Sequence, residues 1–340
     1  MKKGLIILAT LLLSVGISIQ TNAAKTDFPL NWIIYGKHAP FFVAQDKGHF
    51  KKVGLDVRYK RGFGSGDTIK KIAAKVARIG FADASTLVNG RANSDVKVKI
   101  TGMIHAKSIS VVTFLKGKGW KTPKDMIGAK VGGPLGSATA AIFPAVAAAN
   151  GFSHKQLKWI DMPYASMLPS LLAGRTDVAL LFATELPTVV PKAKALGKEV
   201  GTFYYGDWGV DTYNNGVIAH EDTIGSDPNF VRNVTGAVMD AWAWSLLHVD
   251  EAIKNFLKYA PGMSEPLIRG HLAIAIEHLF DEGVRRHGLG YTDQAKMKYT
   301  VDLLTKLQKL KKHIKAEDVY TNRFLPQWSN IKAALGDKAK

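Results

Sequence analysis

Two turns in this chain put hydroxyls and backbone amides where a strand gives way to a helix. Gly62-Phe63-Gly64-Ser65-Gly66-Asp67 is a glycine turn that opens a helix, and Gly136-Ser137-Ala138-Thr139 is its counterpart further on. Amides at a helix start attract an anionic or carbonyl oxygen, which makes Ser65, Ser137 and Thr139 candidate ligand contacts. The plainer roles are a tight strand-to-helix connection and a serine N-cap. Asp83 and Ser85 directly follow an apolar strand, placed either to hydrogen-bond a ligand or to end the strand in an Asx-type turn. Glu185, in Ala183-Thr184-Glu185-Leu186-Pro187, stands just past a strand ending at Phe182. An acid there favours a ligand with N–H donors or a positive edge; pairing with one of the many lysines is the alternative. Trp32, His38, Phe42, Tyr164 and Tyr213 are the rings nearest the predicted strand ends, and flat rings suit a planar ligand. Trp242 and Trp244, within a long helical stretch, read as core.

Other chemistries find little support. The chain has no Gly-x-Ser-x-Gly elbow, Walker loop or His-Glu-x-x-His helix. His271, Glu277, His278 and Asp281 cluster in a late helix, but core aliphatics alternate with them, which argues for structural histidines over a metal site. The absence of cysteine excludes disulfides, thiolate metal sites, cysteine nucleophiles and a lipid-attachment cysteine. Lys and Arg number 46 against 28 Asp and Glu, a net charge of +18. Such an excess can signal nucleic acid, an anionic surface or an acidic ligand. Here the basic residues are dispersed, with short clusters at Lys51-Lys52, Lys70-Lys71 and Lys306 to Lys315, and no nucleic-acid motif accompanies them. They read as a solvated surface, and neither nucleic acid nor a cofactor is expected.

The elements that must hold these residues begin after a leader. Lys2 and Lys3, the apolar run Leu5 to Val15, and Thr21-Asn22-Ala23-Ala24 form an export signal over residues 1–24, which predicts a periplasmic protein with no direct membrane anchor. Apolar runs then alternate with amphipathic stretches and glycine turns, the pattern of an α/β fold with a mainly parallel sheet. Strands are predicted at Leu30 to Tyr35, Leu55 to Tyr59, Arg78 to Ala82, Val96 to Met103 and Ser110 to Leu115, then at Lys130 to Gly132, Leu157 to Asp161 and Asp177 to Phe182. Helices fit His38 to Asp46, Thr68 to Val76, an alanine-rich run bent by Pro144, and Ser166 to Ala173. Beyond Asp227-Pro228 the chain is mostly helical. A change of style at Lys116 to Trp120 predicts two lobes, the first from residues 25–115 plus 217–340 and the second from 116–216. In an open α/β lobe, ligands bind at the carboxyl ends of the strands.

Trp32, followed by the run from His38-Ala39-Pro40-Phe41-Phe42 through Lys47-Gly48-His49-Phe50 to Gly54-Leu55-Asp56-Val57, resembles the opening of the NMT1/THI5-like periplasmic binding proteins, grouped with thiamine-pyrimidine, taurine and alkanesulfonate receptors. Ile79-Gly80-Phe81-Ala82-Asp83, Leu171 to Ala179 and Asp240-Ala241-Trp242 are similar to the same family. The resemblance implies a type II periplasmic binding protein fold, two lobes joined by two crossover strands with the ligand cleft between them. It also implies a monomeric receptor without catalysis, handing a small organic ligand to the permease and ATPase of an ABC importer. It places Asp83 and Ser85 where related receptors hydrogen-bond their ligands, and Glu185 at a cleft glutamate of receptors for nitrogenous heterocycles. The ligand is then a pyrimidine-like heterocycle, an aromatic carboxylate or a sulfonate. A pyrimidine-synthase-like enzyme using His38 and a ligand-sensing partner of a signalling system are the alternatives. The cysteine cluster of the pyrimidine-synthesising relatives is absent here, and Arg78 stands where the family usually has an acid.

Overall fold

The computed structural model describes residues 24–327, so the predicted leader, all but its last residue Ala24, lies outside the described residues. The chain enters through β1 (Ala24–Pro29), crosses helix α1 (Ala39–Asp46) and returns as β2 (Leu55–Lys60), parallel to β1. Helix α2 (Ser65–Ala73) leads to β3 (Ile79–Asp83), and α3 (Ala84–Ser94) to β4 (Val98–Met103). The first strand was expected at Leu30 to Tyr35 and lies six residues earlier by its first residue, Ala24. Strand β1 alternates charged with apolar residues right after the leader, whereas the apolar run beyond Pro29 is an irregular segment that lines the cleft. That segment is pinned by backbone bonds from Gly62 to Trp32 O and from Gly64 to Asn31 O, both 3.0 Å.

The next strand, β5 (Ser110–Leu115), has the predicted bounds but a different partner. It was expected with the first lobe, yet it runs antiparallel between β8 (Val178–Phe182) and β9 (Val200–Tyr204). Its sheet, in the order β7-β6-β8-β5-β9, is completed by β6 (Lys130–Gly133) and β7 (Lys158–Asp161) and packed by α4 (Ala138–Ala149), α5 (Tyr164–Leu172) and α6 (Leu186–Lys194). The lysine- and glycine-rich break at Lys116 is only a surface 3-10 turn, because the lobes are already crossed between Met103 and Ser110. The return is by β10 (Asn215–His220), which lies antiparallel between β3 and β4.

The two crossing segments run side by side. Ile104 and His105 amides both donate to Asn215 O (2.9 Å), and Tyr205 N–H donates to Ser110 O (3.0 Å). Amides joined this way leave the buried backbone of the crossing, the hinge region between the lobes, satisfied. The first lobe is finished by α7 (Glu221–Ser226), α8 (Pro228–Leu247), α9 (Val249–Leu257), α10 (Glu265–Glu277), α11 (Glu282–His287), α12 (Gln294–Gln308) and α13 (Ala316–Val319). Apolar residues at helical spacing on α8, among them Val231, Val234, Val238 and Trp242, bury one face in the core. No described helix is long and apolar enough to cross a membrane.

Candidate functional site

Each sheet ends in a helix start, and the two starts face each other across the cleft. Gly64, with φ +123°, is the N-cap of α2, and a Cβ built on it would lie 2.4 Å from Gly136 O of the other lobe. Ser65 accepts the Asp83 amide on its Oγ (3.0 Å). Opposite, Ser137 caps α4 by accepting the Ala140 amide (3.2 Å), and it lies 3.2 Å from Thr139 Oγ1, which donates to Leu180 O (3.1 Å). Asn31, Trp32, Ser65, Ser137, Thr139 and Glu185 border one small cavity between the lobes. A water centre can explore about 10 Å³ of it, room for roughly one water.

Glu185 reaches this cavity from the second lobe. It closes a 3-10 turn, Ala183–Glu185, directly after β8. Its Oε2 accepts the Phe182 amide (2.9 Å) and its Oε1 accepts the Trp32 indole N–H from the first lobe (3.2 Å). A carboxylate offers about four acceptor positions, so these two bonds, with the Tyr164 hydroxyl that also favours the anion, leave capacity for one further donor. Burial pushes its pKa up, against the Phe182 amide and the Lys37 charge that favour the anion. The Trp32 and Tyr164 rings meet edge to face at 5.1 Å, and Tyr35 Oη lies 2.6 Å from Thr184 Oγ1, so three aromatic or polar contacts tie the lobes here.

Beneath lies a polar floor from the first lobe. Lys37, only 1% exposed, donates to Asn215 Oδ1 (3.3 Å) and sits 4.2 Å over the Phe182 ring. Burial lowers its pKa to about 7, opposed by the nearby charges of Glu185 and Asp83. Asp83 is the N-cap of α3: its Oδ1 accepts from Thr86 N (2.6 Å) and Oγ1 (2.8 Å), while its Oδ2 is buried without a partner. Burial raises its pKa to about 6, with the Thr86 bonds acting the other way. Asn31 Nδ2 and Asn215 Nδ2 are buried orphans as well. An unpartnered buried polar atom costs about 1–3 kcal/mol, and this floor holds several. His38 stands behind it, fully buried, with Nε2 3.3 Å from Asn31 Oδ1; burial holds its pKa far down, so the imidazole is neutral and orients Asn31.

The structure thus brings together Trp32, Ser65, Ser137, Thr139, Tyr164 and Glu185, with Asp83 and His38 one layer down. Three expected contacts lie elsewhere. Phe42 packs into the aromatic core against Tyr59, Phe256 and Tyr259, on a face of α1 turned toward α9 rather than the cleft. Ser85 is already inside α3 and donates to Thr212 Oγ1 (2.8 Å) at the hinge. Tyr213 is buried at the far side of the hinge, where its hydroxyl accepts the Asp293 amide (2.8 Å). Lys37, Asn31, Tyr35 and Asn215 were not singled out from sequence. His271 is buried and bonded to Thr188 (2.8 Å), and among the described residues no His, Cys, Asp and Glu group is arranged to hold a metal ion.

Two α/β lobes, two crossing segments and a cleft lined at strand ends define a periplasmic binding protein fold. The alkanesulfonate-binding protein SsuA of Xanthomonas axonopodis pv. citri, solved with MOPS, superposes with a TM-score of 0.65 at 14% identity over 88% of this chain and 98% of its own. Residues 36–252 match the family described as NMT1/THI5 like, and the chain belongs to that family. Among curated relatives it is 23% identical to the formylaminopyrimidine-binding protein of Halalkalibacterium halodurans, covering 90% of this chain and 94% of that one. It is also 23% identical to the riboflavin-binding protein RibY of Chloroflexus aurantiacus, over 90% and 88%.

Proposed function

We propose that this chain is the exported, monomeric solute receptor of an ABC importer. It encloses a small planar nitrogen heterocycle between its lobes and presents it to a permease driven by an ATPase. The observation that carries the ligand class is Glu185, a buried carboxylate on one lobe that already accepts an indole N–H from the other. A ligand edge bearing N–H donors replaces or joins that indole, whereas an anion would be repelled. Similarity to a formylaminopyrimidine-binding and a riboflavin-binding protein supports a heterocycle. No bond is made or broken in this reading, and the neutral His38 serves to hold Asn31.

A second reading, a sulfonate or carboxylate, is favoured by Lys37 and by the start of α4 at Ser137. Titration calorimetry against 4-aminopyrimidines, n-alkanesulfonates and nitrate, with mass spectrometry of the recovered ligand, decides between them. Binding of aminopyrimidines, recovered unchanged, is expected. Binding of anions alone removes the heterocycle, and recovery of a chemically altered compound removes the receptor.

A further inference from the structure

Beyond Glu185 lies a second, larger space that the polar cleft does not explain. It has a volume of about 310 Å³ and lies between α5, α6 and β8 of the second lobe and α10 of the first. Met167, Leu168, Leu171 and Leu181 line it from one lobe, and Met263 and Leu267 from the other. Glu185 borders both this space and the small polar cavity. The polar cavity holds about one water, enough for a single amino or carbonyl group and too little for a ring. The apolar space falls at the lower end of the range for small-molecule pockets.

Its wall is not wholly apolar: besides Glu185, the side chains of Tyr35, Thr188, Lys192 and His271 border it. His271 is buried, its Nε2 lies 2.8 Å from Thr188 Oγ1 of the facing lobe, and its Nδ1 has no partner. Burial lowers its pKa to about 4, so the ring is neutral and Nδ1 offers either an acceptor or an N–H according to tautomer. Thioethers at Met167 and Met263 adapt to irregular apolar shapes.

We propose that this cavity takes the apolar part of the ligand, with the hydrogen-bonding edge at Glu185. The ligand is then a heterocycle carrying an apolar substituent rather than a bare ring. This rests on the reading of the cleft as the ligand site. Because the walls come from both lobes, the substituent is enclosed only on closure, and its burial favours the closed form.

The test uses 4-aminopyrimidine and its 5-n-alkyl derivatives from methyl to pentyl, beside n-alkanesulfonates of the same lengths, titrated into the full chain and into Leu168→Phe, which fills the cavity from α5. Affinity should rise about fourfold per methylene in the wild type. Leu168→Phe should abolish that gain with chain length, and because the ring itself also needs this space the parent should weaken as well. In parallel, the methyl resonances of Met167 and Met263 should shift when 1-pentanol is added. If the sulfonates gain with length and no aminopyrimidine binds, the heterocycle reading fails and the apolar cavity stands. If aminopyrimidine binds but lengthening the chain leaves affinity flat or lowers it, the cavity proposal is overturned and the heterocycle stands. If neither series binds, unmoved methyls at Met167 and Met263 overturn the cavity proposal, and shifted ones uphold it.

Discussion

Gly64→Ala should hold the cleft open. Gly64 has φ +123° and ψ 152°, a region that only glycine occupies freely, so alanine adds about 1–3 kcal/mol of strain. That part is common to every position of the lobes. The second part exists only when they meet: the new methyl would lie 2.4 Å from Gly136 O and 3.0 Å from Gly136 C, and both are backbone atoms that cannot turn aside. Overpacking of this kind costs about 1–3 kcal/mol, which in an opening equilibrium weakens the ligand by roughly 5- to 150-fold. Gly136→Ala is the matched control, because nothing lies within 4 Å of its added Cβ. Calorimetry should show Gly136→Ala near wild type and Gly64→Ala far weaker, and small-angle scattering should show that ligand compacts the first and not the second. Equal affinity in the two variants would refute the argument that these turns meet when ligand binds.

Three further outcomes follow from the same geometry. Ser137→Ala with Thr139→Ala removes the cap of α4 and should lower the unfolding free energy by about 1 kcal/mol, with weaker ligand binding by calorimetry; unchanged values in both would show that the pair serves neither role. Glu185→Gln places an amide where two N–H groups already point, so a donor-bearing heterocycle should lose about 1.5–3 kcal/mol of affinity, while an alkanesulfonate should bind as well or better. Lys37→Met should stabilise the fold in acid and neutral solution and not in strong base. The folded pKa is lowered from 10.5 to about 7, so below pH ~7 the folded state carries the whole cost of a buried ammonium; above that the folded lysine is neutral, and the cost falls steadily until it is gone near pH 10.5, where the unfolded lysine loses its proton too. Urea titrations at several pH values that showed a gap independent of pH would refute the burial of that charge.

The strands whose types were plain in sequence are those with β-branched runs between polar ends: Ser110–Leu115 has its predicted bounds, and Val98–Met103 begins two residues late. Their partners were not legible, because a run of apolar residues does not state whether it pairs parallel or antiparallel, or in which sheet. Hence β5 was assigned to the wrong side of the crossing, and β9 and α6 were left unread. The first strand was hidden by its own chemistry, with Lys25 and Asp27 alternating against Thr26 and Phe28 at the edge of the sheet. Phe42 stands in the helix expected for it, but on the face that packs against Tyr59 and Phe256 rather than on the cleft face. Ser137, Thr139 and Glu185 lie at the cleft, where the sequence placed them, because a residue just past a strand end has few places to go. Lys37 was missed because a lysine is solvated by default; the one sign was its position, beside His38, within a mostly apolar run from Trp32 to Val43.

Lys37 also connects the cleft to the hinge. Its ammonium donates to the side chain of Asn215, and the Asn215 carbonyl accepts the amides of Ile104 and His105 from the other crossing segment. The charges that favour its protonated form come from Asp83 on its own lobe and Glu185 on the opposite one. On the proposal that ligand enters by opening of the cleft, opening would withdraw Glu185 and admit water, relieving the burial that lowers the lysine's pKa and removing one attraction that raises it. Water is the stronger of the two, since burial is the dominant cause of the shift. Closing therefore sets a cost at Lys37 against the bonds gained at Trp32, Tyr35 and Thr188. A ligand acceptor placed beside the ammonium lowers that cost only in the closed form. Such a group tilts the opening equilibrium by its differential contact with the closed state, which is the condition for a ligand to drive closure.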